Sequence, residues 1–394
     1  MAESTPALHP DPGPKSVLMI KSHSLGVGDL LRSSAAWRVM KNAWPSVQLH
    51  LLFLSKHPGY PTQDLIAGHH LLSSAHFITL REGSPQHPGK HRVKMSHILT
   101  QVRDIAQAKQ VDWVIDFEMN GLRTAWLTWA LRQGEKPSWR QRPGAPLQTL
   151  GVNQFWPRAW FYASTSVSLP AYMQQEGLTT PMDYTHRDFV VLSALGLKRG
   201  NTPIELHASE ASVLQAHALL SAAFQDVLSP PGSLHPSPRQ RPVWGINIGC
   251  GTPDALGKRP HMSDLVASVV ALAQRHSFDV VLTGAAFERE VNEEFIQAFN
   301  ERMNALAHPP VHTPRLLNAA GTGSLRDLSG LITCCELFLS TDSGPYHMAV
   351  GLKVSTLVWF VIDQPASYHG VSWCKRVVNP SVPEVLQAVE RLIG

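Results

Sequence analysis

The chain has 394 residues, too many for one compact core and enough for two domains of ordinary size. It is 43% hydrophobic and 16% charged, which excludes a disordered chain, and its formal net charge is only +4. That mild basicity, with no clustered basic face in evidence, does not point to nucleic acid, but it suits anionic sugars, phosphates or an anionic membrane surface.

The first fifteen residues, MAESTPALHPDPGPK, carry acids and prolines around no apolar core, so no signal peptide is expected. Residues 1–14 are expected to be a disordered tail. No run of about 18 apolar residues occurs, so no membrane span is expected. The four cysteines, Cys250, Cys334, Cys335 and Cys374, form no CxxC pair and no zinc framework. They read as small buried hydrophobes of a reducing compartment. The 20 histidines show no HExxH or similar ligand spacing, so no metal site is expected.

Strand and helix alternate along the chain. Ser16–Lys21 (SVLMIK) is a short apolar run of the kind buried in a parallel sheet. A Ser/Gly loop follows, then a helix from about Leu30 to Ala43, then a strand over Val47–Leu54. Ala75–Leu80 and Val111–Phe117 read as further strands, Met95–Lys109 and Thr124–Leu131 as helices. Lys136–Pro170, rich in Pro, Trp and Arg, gives no clear assignment. His186–Leu195 reads as a helix. Residues 229–242 (SPPGSLHPSPRQRP) form a proline-rich linker. The rhythm then restarts with strands over Val243–Ile248, Asp279–Thr283, Leu337–Ser340 and Val354–Phe360. Helices over Met262–Arg275, Glu288–Asn304, Leu325–Cys334, Pro345–Val350 and Pro383–Ile393 alternate with them. Two Rossmann-like parallel-sheet domains are expected, residues 15–228 and 243–394, facing across a cleft. Ligands of such sheets bind beyond the carboxyl ends of the strands.

Three loops at those ends carry chemistry. Ser24-Leu25-Gly26-Val27-Gly28-Asp29 follows the first strand. It is a poor dinucleotide fingerprint, because Leu31 stands where the third glycine belongs and no acid ends the second strand. Asp29 reads either as an N-cap or as a carboxylate general base. Gly249-Cys250-Gly251-Thr252-Pro253-Asp254, followed by Lys258-Arg259-Pro260, combines a small-residue turn, two cations and a helix start. Gly251, Thr252, Lys258 and Arg259 thus suit a diphosphate, or make a plain turn with two solvated cations. Thr341-Asp342-Ser343-Gly344-Pro345-Tyr346-His347-Met348-Ala349 follows a buried strand. Pro345 fits a first helical turn, Asp342 and Ser343 are placed to cap that helix, and His347 falls on its first turn. A basic loop, Lys90-His91-Arg92-Val93-Lys94, is placed to meet an anionic acceptor through Lys90, Arg92 and Lys94, or is a solvated surface.

DSGPYHMA resembles the D-[ST]-G-x-x-H-x-A hallmark of glycosyltransferase family 9, the lipopolysaccharide heptosyltransferases. The opening IKSHSLGVGDLLRSSAAWRVMKNAWPSVQLHLL, then VDWVIDFEMNGLRTAWL, VLTGAAFERE and LLNAAGTGSLRDLSGLITCCELFLSTDSG, are similar to other segments of that family. The resemblance runs from about Lys15 to Gly394 and is looser between Lys136 and Leu206. It implies a GT-B fold and an inverting, metal-independent transferase. The reaction it implies is transfer of heptose from ADP-heptose to a lipopolysaccharide core or related lipid-linked acceptor. It implies no cofactor, no nucleic acid, and a cytoplasmic protein in peripheral contact with the inner membrane.

Carried residue by residue, the resemblance makes Asp29 the base and Lys258 the cation on the donor phosphates. Glu288 lies near an acid that contacts the nucleoside, and Asp342, Ser343, Gly344 and His347 match the donor-binding hallmark. Three features depart from the pattern: a longer first loop, Ala35 where a Pro is common, and Pro260 directly after Arg259 where a Trp usually intervenes. Either Lys258 or Arg259 can then be the phosphate contact. A nucleotide-sugar epimerase of the same architecture, or a non-catalytic sugar-nucleotide-binding protein, are the alternatives. Transfer, isomerised donor or binding without turnover would separate the three. Glu118, after a later strand of the first domain, is the alternative base.

Overall fold

The computed structural model describes residues 13–22, 26–55, 62–83, 88–133, 147–224, 241–249 and 253–394. The chain divides into two compact units, Met1–Ile204 and Glu205–Gly394.

The first unit contains β1 (Ser16–Ser22), α1 (Val27–Ala43), β2 (Gln48–Ser55), α2 (Thr62–Ala67) and β3 (Ser74–Thr79). There follow β4 (Arg81–Gly83), β5 (Pro88–Arg92), α3 (Met95–Ala108), β6 (Trp113–Asp116) and α4 (Arg123–Gln133). It ends with β7 (Gln148–Val152), β8 (Ser164–Ser166), α5 (Leu169–Gln175) and α6 (Arg187–Leu192). Six strands form a parallel sheet in the order β3-β2-β1-β6-β7-β8, with Ile20 level with Leu52 on one side and Asp116 on the other. β1 is buried at every residue, as its unbroken apolar run requires of a central strand. Leu18, Ile20, Leu52, Val114 and Leu127 lie in its core.

The second unit starts with α7 (Glu210–Phe224), then β9 (Val243–Asn247), α8 (Met262–Ala273), β10 (Asp279–Thr283), α9 (Arg289–Asn304) and β11 (Leu316–Asn318). It continues through α10 (Leu325–Thr333), β12 (Leu337–Thr341), α11 (Gly344–Gly351), β13 (Ser355–Phe360), β14 (Cys374–Val378) and α12 (Val382–Ile393). Its sheet repeats the topology as β11-β10-β9-β12-β13-β14, again all parallel. Trp244 stacks on Phe278 with ring centroids 3.8 Å apart inside its core.

The two-sheet α/β architecture expected from the rhythm is therefore present. The division falls earlier than the proline-rich stretch, however. α7 packs on α10, with the Ser212 backbone so close to Gly330 that a side chain there would lie 2.2 Å from the Ser212 carbonyl oxygen. Residues 205–224, expected with the first domain, thus belong to the second, because a helix follows the surface that buries it. Residues 225–240 and 1–12 lie outside the described residues. Among the described residues, no helix is long and apolar enough to cross a membrane. Among the described residues, Cys334, Cys335 and Cys374 form no disulfide, and burial pushes the Cys374 thiol up to about 12. Cys250 lies outside the described residues.

Candidate functional site

In both sheets the strand order reverses beside the first strand of the unit, between β1 and β6 and between β9 and β12. Backbone connections diverge at such a point and leave room beyond the carboxyl ends. The hallmark begins there. β12 delivers Asp342 immediately past its last residue, and α11 starts at Gly344 with Pro345 in its first turn.

Asp342 is 8% exposed and sits at the centre of a polar cluster. The Lys258 ammonium donates to its Oδ2 at 2.7 Å and the Ser367 hydroxyl to its Oδ1 at 2.5 Å. Ser343 occupies the N-cap position of α11 but does not cap it with its side chain. Its hydroxyl donates instead to Asn247 Oδ1, at the end of β9, across the switch point at 3.0 Å. The expectation that Asp342 and Ser343 cap the helix is corrected on this ground: both side chains turn to neighbouring strands and loops. His347, buried in the first turn, places Nδ1 2.8 Å from Nε2 of the buried His369. A small pocket lined by Asn247, Pro260, Ser340, Thr341 and Trp359 lies at the same strand ends.

Lys258 ends a 3-10 turn over Pro253–Lys258, and Arg259 follows it. The two are not solvated cations. Lys258 pairs with Asp342, while Arg259 lies 3.6 Å from Glu288. Glu288 is 2% exposed, accepts the Ala285 N–H at 2.8 Å and lies flat against Gly249. A Cβ on Gly249 would come within 1.8 Å of its carboxylate, so only glycine admits the acid there. Lys258, Asp342, Ser343, Gly344 and His347 therefore come together, with Arg259 and Glu288 as an adjoining pair. Gly251 and Thr252 lie outside the described residues.

The first unit is arranged differently. Asp29 is not the N-cap, since Gly26 holds that position; Asp29 stands three residues into α1. Its carboxylate reaches back to the Gly26 N–H at 3.2 Å and meets Arg32 at 3.3 Å, with a third of its side chain exposed. An N-cap needs extended backbone, and residue 29 is already helical. Glu118 accepts the Ser22 N–H at 2.7 Å and so ties the loop after β6 to the end of β1. Behind it, Arg158 is fully buried against Asp116 at 2.8 Å and also donates to the carbonyls of Glu118 and Gly121. The Tyr162 hydroxyl donates to Asp116 at 2.6 Å. Burial pushes the Asp116 carboxyl up to about 6, outweighing the pull of Arg158 and Tyr162.

The basic segment 90–94, expected as a loop, is partly strand. β5 pairs antiparallel with β4, and Arg92 sits opposite Arg81. Arg92 and Lys94 are exposed, and the Lys90 side chain lies outside the described residues. Sequence reading missed Asn247, Ser367 and His369. Asn247 ends a strand with no motif around it, and Ser367 and His369 lie about 20 residues past the end of the hallmark with no spacing to mark them.

Residues 261–381 match the family model Glycosyltransferase family 9 (heptosyltransferase). A segment of 83 residues is 36% identical to the lipopolysaccharide core heptosyltransferase OpsX of Haemophilus influenzae, spanning 21% of this chain and 21% of that protein. The match thus covers about a fifth of that curated relative. The fold is similar to that of a glycosyl transferase family 9 structure from Veillonella parvula. That likeness has a TM-score of 0.65 at 15% identity and covers 96% of this chain and 97% of that one. It is also similar to the E. coli ADP-heptose lps heptosyltransferase II, with a TM-score of 0.59 at 16% identity over 96% and 98%. The matched residues lie in the second unit and run from α8 through the hallmark past the end of β14.

Proposed function

We propose that this protein is an inverting, metal-independent glycosyltransferase that moves heptose from ADP-heptose onto a lipopolysaccharide core or related lipid-linked acceptor. The observation that carries the reading is the cluster of buried Asp342, Ser343 and His347 with the partly exposed Lys258 beyond β12, within and beside the segment that matches the family. The ADP-heptose donor and the lipopolysaccharide acceptor are taken from the names of the similar proteins.

In this mechanism the donor occupies the second unit, and a divalent ion is not required. Lys258, with Arg259 beside it, stabilises negative charge on the departing diphosphate. The acceptor hydroxyl oxygen bonds to the anomeric carbon as the bond from that carbon to phosphate oxygen breaks. The electron pair leaves with the diphosphate, and the hydroxyl proton passes to Asp29. Exposure suits Asp29 to this role, because a base must reach an incoming hydroxyl. Arg92 and Lys94 present positive charge to an anionic acceptor. Peripheral contact with the inner membrane from the cytoplasmic side, and the absence of any nucleic-acid partner, belong to the same proposal.

The test is transfer of radiolabelled heptose from ADP-heptose to a lipid-linked acceptor, with and without excess chelator. Transfer in both arms is expected. Isomerised donor or binding without turnover would replace the transferase reading. Loss on chelation, restored by magnesium or manganese, would overturn the metal-independent part.

A further inference from the structure

The loop after β13 makes contacts that the hallmark does not explain. Gln364–His369 includes a 3-10 turn over Pro365–Ser367, and both Ser367 and His369 are buried. Each meets a different hallmark residue. Ser367 donates to Asp342 Oδ1 at 2.5 Å, and His369 Nε2 lies 2.8 Å from His347 Nδ1. The loop backbone is fixed to the same helix: the His369 N–H donates to the Tyr346 hydroxyl at 2.9 Å, and that hydroxyl donates to the Ser367 carbonyl at 3.4 Å. One short loop therefore orients both an acid and a base of the cluster.

We propose that Ser367 and His369 are positioning residues of the nucleotide-sugar site, acting through Asp342 and His347. The inference rests on the reading that those two residues hold the donor. A hydrogen bond between two imidazoles needs one nitrogen that donates and one that accepts. His369 thus sets which tautomer His347 adopts. When His369 Nε2 carries the N–H, His347 Nδ1 accepts the hydrogen bond and the N–H of the neutral His347 ring sits on Nε2. That is the form able to donate to a phosphate oxygen or a sugar hydroxyl. Ser367 acts in parallel: by donating to one carboxylate oxygen of Asp342 it leaves the other turned to Lys258, and so fixes where the ammonium stands.

The experiment measures ADP affinity by calorimetry, with melting temperature, on His369→Leu, His369→Gln, Ser367→Ala, His347→Ala and the double variant His347→Ala/His369→Leu. His369→Leu is expected to weaken ADP binding about tenfold, the scale of one lost oriented hydrogen bond in a buried site. His369→Gln, which keeps a donor at the same reach, should stay within about threefold. In the His347→Ala background His369→Leu should cost nothing further, because a residue acting through another loses its effect when the other is gone. Ser367→Ala removes a single hydroxyl and reads the same loop should His369→Leu fail to fold; it should weaken ADP binding several-fold. Undiminished affinity in His369→Leu or, failing its folding, in Ser367→Ala overturns the positioning role. So does a His369→Leu loss that persists in full beside His347→Ala. If His347→Ala weakens binding while the loop variants do not, the donor-site reading stands without the loop. If His347→Ala also leaves binding unchanged, the donor-site reading itself falls.

Discussion

The two units share one topology and treat the acid beyond its switch-point strand in opposite ways. Beyond β6, Glu118 is tied down by the backbone N–H of Ser22, and a buried Arg158 grips the same loop through two carbonyls. Beyond β12, Asp342 is held by side-chain groups, an ammonium and a hydroxyl. An acid that satisfies backbone groups closes a loop and is costly to release. An acid that balances a partly exposed lysine can exchange that partner for a ligand at smaller cost, because the lysine regains water or phosphate. The first unit places a partly exposed carboxylate elsewhere, on Asp29, where, among the described residues, a neighbouring arginine and a helix-start N–H attend it. On the proposed function, the difference suits binding to the second unit and proton transfer to the first.

The sharpest break would come from Asp29→Asn. As the base it should lower turnover by roughly a hundredfold or more, while ADP affinity holds. Losing one acid from a helix's first turn costs about 0.3–1 kcal/mol, so the melting temperature should fall by no more than about 4 °C. Turnover, affinity and melting measured together decide it. Near-normal turnover in a folded variant would move the base to Glu118, and the contrast between the units would have to be redrawn.

Next in size are Asp342→Ala and His347→Ala, each expected to weaken ADP binding tenfold or more by calorimetry. Unchanged affinity in both, with melting intact, would take the hallmark out of the site. The two cations sharpen the picture further. Lys258→Ala should weaken ADP binding about tenfold, and Arg259→Ala less, because Arg259 is engaged with the deeply buried Glu288. A larger loss from Arg259 would show that Pro260, standing directly after it, shifts the phosphate contact by one residue.

A last effect, remote from the site, concerns stability of the first unit alone. His50 is buried on β2, with Nδ1 2.7 Å from the Ser74 hydroxyl. Burial, then the charges of Lys109, His76 and Lys41, hold its imidazole down at about 4. A folded value below the ordinary 6.5 means that the unfolded chain binds the proton first. The stability from neutral His50 is complete above about pH 6.5 and is lost as pH falls through 4, at most about 3 kcal/mol. Melting of His50→Gln followed from pH 7 to pH 4 should fall less steeply than that of the unsubstituted protein. Parallel curves would show that His50 does not titrate as described.

Much of this was legible in the residues themselves. Unbroken apolar runs such as SVLMIK and DVVLT have no polar face to offer solvent, so they announce buried parallel strands wherever they occur. DSGPYHMA places its proline and glycine where a helix must begin, and the match over residues 261–381 agrees with the family read from it. Short or polar elements were not legible. β11, β14 and the β4–β5 hairpin carry too few apolar residues to show a period, and they are strands because a neighbour supplies their hydrogen bonds. The place of α7 was hidden for a related reason, since a helix that is apolar around much of its circumference does not name the surface that will cover it.

For the site, the sequence by itself determined which residue types stand at the carboxyl ends of strands, because local chain direction and turn chemistry put them there. Only the tertiary structure decided which charges meet. Lys258 lies 84 residues from Asp342, His347 lies 22 from His369, and Asn247 lies 96 from Ser343. No local propensity links such pairs. They meet because parallel strands brought side by side deliver separate loops to one edge of a sheet, and burial there leaves each polar group only the partners the fold provides.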